Sequence, residues 1–322
     1  MAGKSGPGGL SRRGFMGRMS ALAAAVWVGP TFAAQTKAAG GGRRDGFGYC
    51  LNTGTIMGQN LSLVEEVEIA AKAGYDAIEP WIRKINEYRS GGGSLKDLKK
   101  RIADLGITVE SAIGFAQWIV DDDAQRARGL EELKRDMDVL AQIGGVRIAA
   151  PPAGANRTAG LDLNRAAERY RAILEMGDEM GVVPQLETWG SSANLHLLGE
   201  ALYVIAESRH PKACLLPDVY HTYKGGSDFN AYKVISGRTI QVFHMNDYPA
   251  DPPRQTIADR DRVMPGDGIA PITQILRDIY DNGCRAMLSL ELFNQRYWKQ
   301  DPLEVAKLGL SKMKTCVGKA LA

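Results

Sequence analysis

The chain is poor in cysteine and histidine, and it lacks any apolar run of membrane length. Four cysteines, Cys50, Cys214, Cys284 and Cys316, stand far apart without CxxC spacing, which sets aside a zinc knuckle or a dithiol redox motif. Buried free thiols are the expectation for all four. The longest apolar stretches fall well short of the ~20 residues a spanning helix needs, so no stable membrane insertion is expected. No GxGxxG follows the first apolar run, which sets dinucleotide binding aside. Charge of one sign is lacking too. The formal charge is +3, and removing Lys4, Arg12, Arg13 and Arg18 with an N-terminal leader takes it to −1. Nothing in that balance calls for nucleic acid or anionic lipid as a partner.

The leader is read from Ser11, Arg12, Arg13, Gly14 and Phe15, a twin-arginine pattern ahead of a small-residue apolar run from Ala21 to Val28. Residues 1–34 are therefore expected to be an export signal, with the twin-arginine machinery as partner and the periplasm as destination. Residues 35–46, with Gly40, Gly41 and Gly42, read as a flexible linker. The remaining 47–322 suit one domain of eight βα units, which needs about 250 residues. With 44% hydrophobic and 24% charged residues, the chain can bury a sizeable core.

One pattern then repeats: a helix with apolar spacing stops at a glycine, and an apolar β-type run follows. Ser62 with Glu65 makes a capping box, Leu63, Val67 and Ala70 form a stripe, and Gly74 precedes the run Ala77, Ile78, Glu79. Ser94 opens a second helix with Leu95, Leu98, Ile102 and Leu105 inward, and 107–111 supplies a strand. Later helices near 130–140, 163–180, 197–206, 229–235, 272–280 and 302–317 alternate with strands near 146–150, 182–187, 213–218, 239–246 and 287–291. With 47–52 at the start, eight strands are predicted. Strict alternation with near-continuous apolar strands points to a buried parallel sheet, and eight is the number that closes a (β/α)8 TIM barrel.

Active sites of such barrels lie where the strands end. Strand five ends in Glu187, strand six in Asp218, strand seven in His244 and strand eight in Glu291. Any one of them would suit a helix cap or an ion pair. Four in succession would repel strongly unless a cation sat among them, so a divalent metal is expected there. Oxygen-rich ligands with one imidazole and no thiolate suit Mn2+ first, with Mg2+, Co2+ or Zn2+ open.

With those residues in view, the chain resembles the sugar phosphate isomerase/epimerase family of the xylose isomerase-like TIM barrels, over roughly residues 47–318. The marks are Leu186, Glu187 and Thr188; Asp218, Val219, Tyr220 and His221; His244, Met245, Asn246 and Asp247; and Glu291. The resemblance implies metal binding by Glu187, Asp218, His244 and Glu291, with Glu187 and Glu291 also acting as acid and base on opposite faces of a sugar. It implies substrate contact at His221. Asp247 is a further candidate, and Glu79 and Trp81 sit where strand two opens into its loop, suited to hydroxyl and ring contacts. A long polar loop from Asp251 to Gly268 reads as a lid, with Arg254 as a candidate substrate contact.

The chemistry expected is removal of the proton α to a carbonyl, giving an epimer or an aldose-ketose isomer according to where the proton returns. A lyase or dehydratase acting on an oxidised sugar, glycoside or inositol begins with the same step. A non-catalytic sugar-binding module is the remaining contrast. A related branch repairs abasic DNA with three zinc ions, but it needs histidines on early strands, and none here precedes His196. A carbohydrate is thus the expected partner, with a homo-oligomer left open. His196 and His210 are expected to serve surface or packing roles.

Overall fold

Ser62 starts the first helix of the barrel by accepting a hydrogen bond from Glu65 N, while the Glu65 carboxylate accepts from Ser62 N. This is the capping box the sequence predicts, and Gly74 closes the helix in the left-handed conformation at φ 91°. The computed structural model describes residues 46–322, so the twin-arginine leader and residues 35–45 of the linker lie outside the described residues.

Eight strands follow in order: β1 Gly48–Asn52, β2 Ala77–Glu79, β3 Thr108–Val109, β4 Arg147–Ala150, β5 Val183–Glu187, β6 Leu215–Leu216, β7 Val242–Met245 and β8 Met287–Leu290. All pairings between strands are parallel. They form a run β3-β2-β1-β8-β7 and a run β4-β5-β6. Single parallel bridges from Leu215 to Ile240 and from Asp218 to His244 join β6 to β7. Ala112, just past β3, exchanges backbone hydrogen bonds with Arg147 and Ala149 of β4. The ring is therefore closed, and no strand edge is left bare.

The helices are α1 Leu63–Ala73, α2 Ile82–Ser90, α3 Leu95–Asp104, α4 Asp123–Gln142, α5 Leu163–Met180, α6 Leu198–Ser208, α7 Val219–Gly225, α8 Ile272–Asp281, α9 Gln295–Trp298 and α10 Pro302–Leu321. Among them α2, α7 and α9 go beyond the sequence reading. They are short and lie in loops at the strand ends, where apolar periodicity has few turns in which to show. Leu105, expected inward, is 37% exposed because it caps the C-terminus of α3 rather than continuing its stripe.

A compact apolar cluster packs inside the barrel, with Cys50, Ala77, Ile113, Ala149, Leu216, Val242 and Met287 in contact. A larger cluster lies between strands and helices. All four cysteines are buried and free.

The helix layer buries acidic side chains, and Glu66 is the most deeply placed of those on α1. Glu66 of α1 is 1% exposed, its Oε2 has no hydrogen-bond partner, and burial pushes its carboxyl up to about 8. A folded-state value above the ordinary 4.5 means stability is lost as pH rises from about 4.5 through about 8. Glu66→Gln removes that loss. In thermal unfolding it should match the wild type near pH 5 and exceed it by several degrees, roughly 5 °C, near pH 9. An equal difference at both ends would contradict the assignment.

Candidate metal centre

The strand register brings the polar strand ends to one level. Asn52 is paired with Glu79, Glu187 with Leu216, Asp218 with His244, and His244 with Ser289. Parallel strands of a closed barrel tilt alike, so these ends converge on one mouth.

Asp218, His244 and Glu291 are buried, and their ligating atoms all lie within 4.8 Å of one another. His244 Nδ1 is 3.3 Å from Glu291 Oε2, 3.8 Å from Glu187 Oε1 and 3.9 Å from Asp218 Oδ2. Glu187 falls outside that group of three, although it reaches His244 Nδ1. The predicted four thus meet around one atom, and that atom, His244 Nδ1, is fully buried without a hydrogen bond.

The other face of the imidazole explains its orientation. Nε2 lies 3.1 Å from Glu79 Oε2, which also accepts from Asn52 Nδ2 at 2.9 Å and Ser289 Oγ at 2.7 Å. A carboxylate there fixes the proton on Nε2 and turns the Nδ1 lone pair toward the other carboxylates. Glu79 is therefore not a substrate contact as the sequence reading had it. It is fully buried behind His244, because the last residue of β2 points into the barrel below the mouth.

The electrostatics follow from this crowding. Burial first, then the charges of Glu291 and Asp218, push the Glu187 carboxyl up to about 8, with His244 opposing. For Glu291 burial also acts upward, yet His244 and the Arg262 guanidinium outweigh it and hold the group below its ordinary value. Burial disfavours a charged His244, but Glu291 and Glu79 raise it well above the usual imidazole value. A proton is thus drawn to the place where a cation would sit.

Arg262 is a site residue that the sequence reading left within its lid loop. It is fully buried, and its Nη1 donates to Asp218 Oδ2 at 3.0 Å and Glu291 Oε2 at 2.9 Å. Nη2 meets Asp259 and lies 3.1 Å from His221 Nε2, and the guanidinium lies over the Tyr220 ring at 4.4 Å. Arg254, the predicted contact, is exposed instead, its carbonyl accepting from Lys224 Nζ. Asp247 is also corrected. Its carboxylate accepts from the backbone N–H of Tyr248, Gly266, Gly268 and Ala270, so it anchors the loop rather than facing the mouth. Gly268 is required there, since a Cβ would come within 2.4 Å of Asp247 Oδ1.

A cavity of about 560 Å3 opens over the cluster, lined by Glu187, His221, Arg262 and Glu291 together with Trp81, Trp189 and Phe293. His221 and Trp81 stand at the mouth as expected. His221 Nδ1 accepts from Gly190 N at 3.2 Å, and burial lowers its imidazole below the ordinary value. A groove of about 600 Å3 on the outside of α4, at Arg128 and Arg135, shares none of these residues. His196 faces Glu200 and His210 faces Asp178, both away from the cluster.

The residues fit a divalent ion. Glu79, Glu187, Asp218 and Glu291 are all buried, Arg262 pairs with Asp218 and Glu291 among them, and an unpartnered imidazole nitrogen points among Glu187, Asp218 and Glu291. Glu187, Asp218, His244 and Glu291 would hold it.

A model of the xylose isomerase-like TIM barrel family matches residues 67–316. The chain belongs to this family. Among its relatives is an inosose isomerase of Bacillus velezensis, 24% identical over 84% of this chain and 97% of that protein. A 3-dehydroshikimate dehydratase of Pseudomonas putida is 24% identical over 73% of this chain but 37% of its own length. The fold superposes on the IOLI protein with a bound zinc atom at TM-score 0.79, with 22% identity over 85% of this chain and 99% of that one.

Glu79 orients the one nitrogen that would serve as a ligand. Glu79→Gln should weaken divalent-ion binding by about 10–100-fold in a chelator-competition titration while the fold is retained. Unchanged affinity would show that His244 needs no such support.

Proposed function

We propose that the protein is a divalent-metal-dependent isomerase or epimerase that removes the proton α to the carbonyl of a keto sugar or related polyol. The observation that carries this reading is the pair Glu187 and Glu291, two carboxylates of unlike proton affinity with oxygens 3.8 and 3.3 Å from His244 Nδ1. The ion, when bound, supplies a Lewis acid that polarises a carbonyl and its neighbouring hydroxyl.

The protein's own groups divide the remaining work. Glu291, beside the Arg262 guanidinium, takes the α-proton, and the electron pair of that C–H bond moves onto the carbonyl oxygen to give an enediolate. Glu187, the carboxyl of higher proton affinity in the ion-free site, returns one to the opposite face or to the neighbouring carbon. Arg262 and His221 face the oxygens from the polar wall and exclude water there. Asn52 holds Glu291 in place by donating to its Oε1 at 3.1 Å.

A lyase or dehydratase reading shares the first step and then expels a β-leaving group. The similarity to a dehydratase favours keeping it as the second reading. Mn2+ is proposed as the ion because the ligands are mostly oxygen, although the similar IOLI structure holds zinc. Residues 1–34 are proposed to direct export of the folded, metal-loaded protein through the twin-arginine route, on the strength of Arg12 and Arg13.

The experiment is α-hydrogen exchange in heavy water with a panel of ketoses, inososes and 3-keto glycosides. Wild-type protein should exchange at least one of them and release no water or alcohol, while Glu187→Gln and Glu291→Gln each lose at least about 10³-fold and stay folded. The activity should appear in the periplasmic fraction and stay in the cytoplasm when Arg12 and Arg13 become lysine. Retained exchange in both glutamine variants would refute the mechanism, and stoichiometric loss of a leaving group would favour the lyase.

A further inference from the structure

The walls of the cavity are unlike one another. On the side of β6 and β7 they are polar, with His221, Asp259 and Arg262. Along the ends of β8, β2, β3 and β5 they are aromatic. Phe293, Trp81, Phe115 and Trp189 follow one another there, with ring centroids 6.0, 5.2 and 6.0 Å apart. Trp298 lines the same cavity, so three of the five tryptophans of the chain face it.

These rings are held, and their faces are not fully covered. Trp81 Nε1 donates to Asn52 Oδ1 at 3.2 Å, and Trp298 Nε1 donates to Gly54 O at 3.1 Å. Asn52 is the same side chain that holds Glu291, so one amide couples the aromatic wall to the reacting carboxylate. Phe115 is 41% exposed, although an aromatic ring gains from burial. A single six-membered sugar ring covers one or two of these aromatic faces at once, and the arc contains four.

Anionic sugars are poorly served by the same cavity. No lysine lines it, and of its two arginines Arg262 is engaged with Asp218, Glu291 and Asp259. A phosphate would have Arg260 at the rim and the negative charge of the carboxylate cluster against it.

We propose that the aromatic arc is a second subsite, for a ring carried on the reacting sugar, so that the substrate is a glycoside with a sugar or aryl aglycone rather than a free or phosphorylated monosaccharide. This inference rests on the keto-sugar reading of the metal site and names its substrate class. The reacting ring sits between the polar wall and the metal ligands, and the aglycone lies across Trp81, Phe115 and Trp189.

The test uses sugars without a keto group, so that binding is read apart from turnover. Metal-loaded protein is titrated with D-glucose, glucose 6-phosphate, phenyl β-D-glucoside and cellobiose, and Kd is read from tryptophan fluorescence. Phenyl glucoside or cellobiose should bind at least about tenfold more tightly than glucose and glucose 6-phosphate. Whichever of the two binds tighter identifies the aglycone as aryl or sugar, and both outcomes support the subsite. Phe115→Ala, at an exposed ring, should remove most of the preference with the melting temperature unchanged; Trp189→Ala should do the same. Equal affinities, tighter binding of the phosphate, or a preference that survives both substitutions would overturn the proposal. Failure of every keto sugar to exchange hydrogen would refute the proposed reaction while leaving this binding contrast to stand or fall alone.

Discussion

Four carboxylates are buried around one imidazole, Arg262 is the one guanidinium among the described residues that pairs with any of them, and the architecture of the barrel mouth depends on that imbalance. In water such groups would separate. Here backbone pairing prevents it, because Glu187 and the residues flanking Asp218 and Glu291 are tied into the parallel ring. The charge that cannot escape becomes affinity for a proton or a dication at His244 Nδ1.

Support for this arrangement reaches outward in two directions. Behind His244, Asn52, Glu79 and Ser289 form a hydrogen-bonded layer that sets the ring orientation and leaves no freedom for the other tautomer. In front, Arg262 returns from a long loop to bridge Asp218 and Glu291, and the loop is fixed by four backbone N–H groups on Asp247. Asp247 thus positions Arg262 from a distance, by folding the chain between them. The region read from sequence as a lid is in this respect a brace.

Legibility in the sequence followed the range of the interaction. Helix α1 could be read almost to the residue, because Ser62, Glu65 and Gly74 act through contacts within one turn. That Glu187, Asp218, His244 and Glu291 would come together was readable too, since the barrel places every strand end at one mouth and chain order locates those ends. Glu79 was found as a strand-end acid but given the wrong role, because its inward aim depends on the depth of β2 relative to β7. Asn52 gave no signal, being a neutral amide at the end of an apolar strand. Arg254 was chosen over Arg262 because nearness in sequence to His244 says little about where a long loop folds back. The aromatic arc draws on four separate strand ends, and no local pattern links Phe293 to Trp81.

The claim that one dication is held by Glu187, Asp218, His244 and Glu291 is tested most directly by a crystal structure of the protein with Mn2+, read by anomalous scattering with metal analysis of the same sample. One ion per chain is predicted, bonded to His244 Nδ1 and to oxygens of all three acids. A metal-free chain at saturating Mn2+, or an ion bound elsewhere while His244 Nδ1 contacts only protein, would contradict the account.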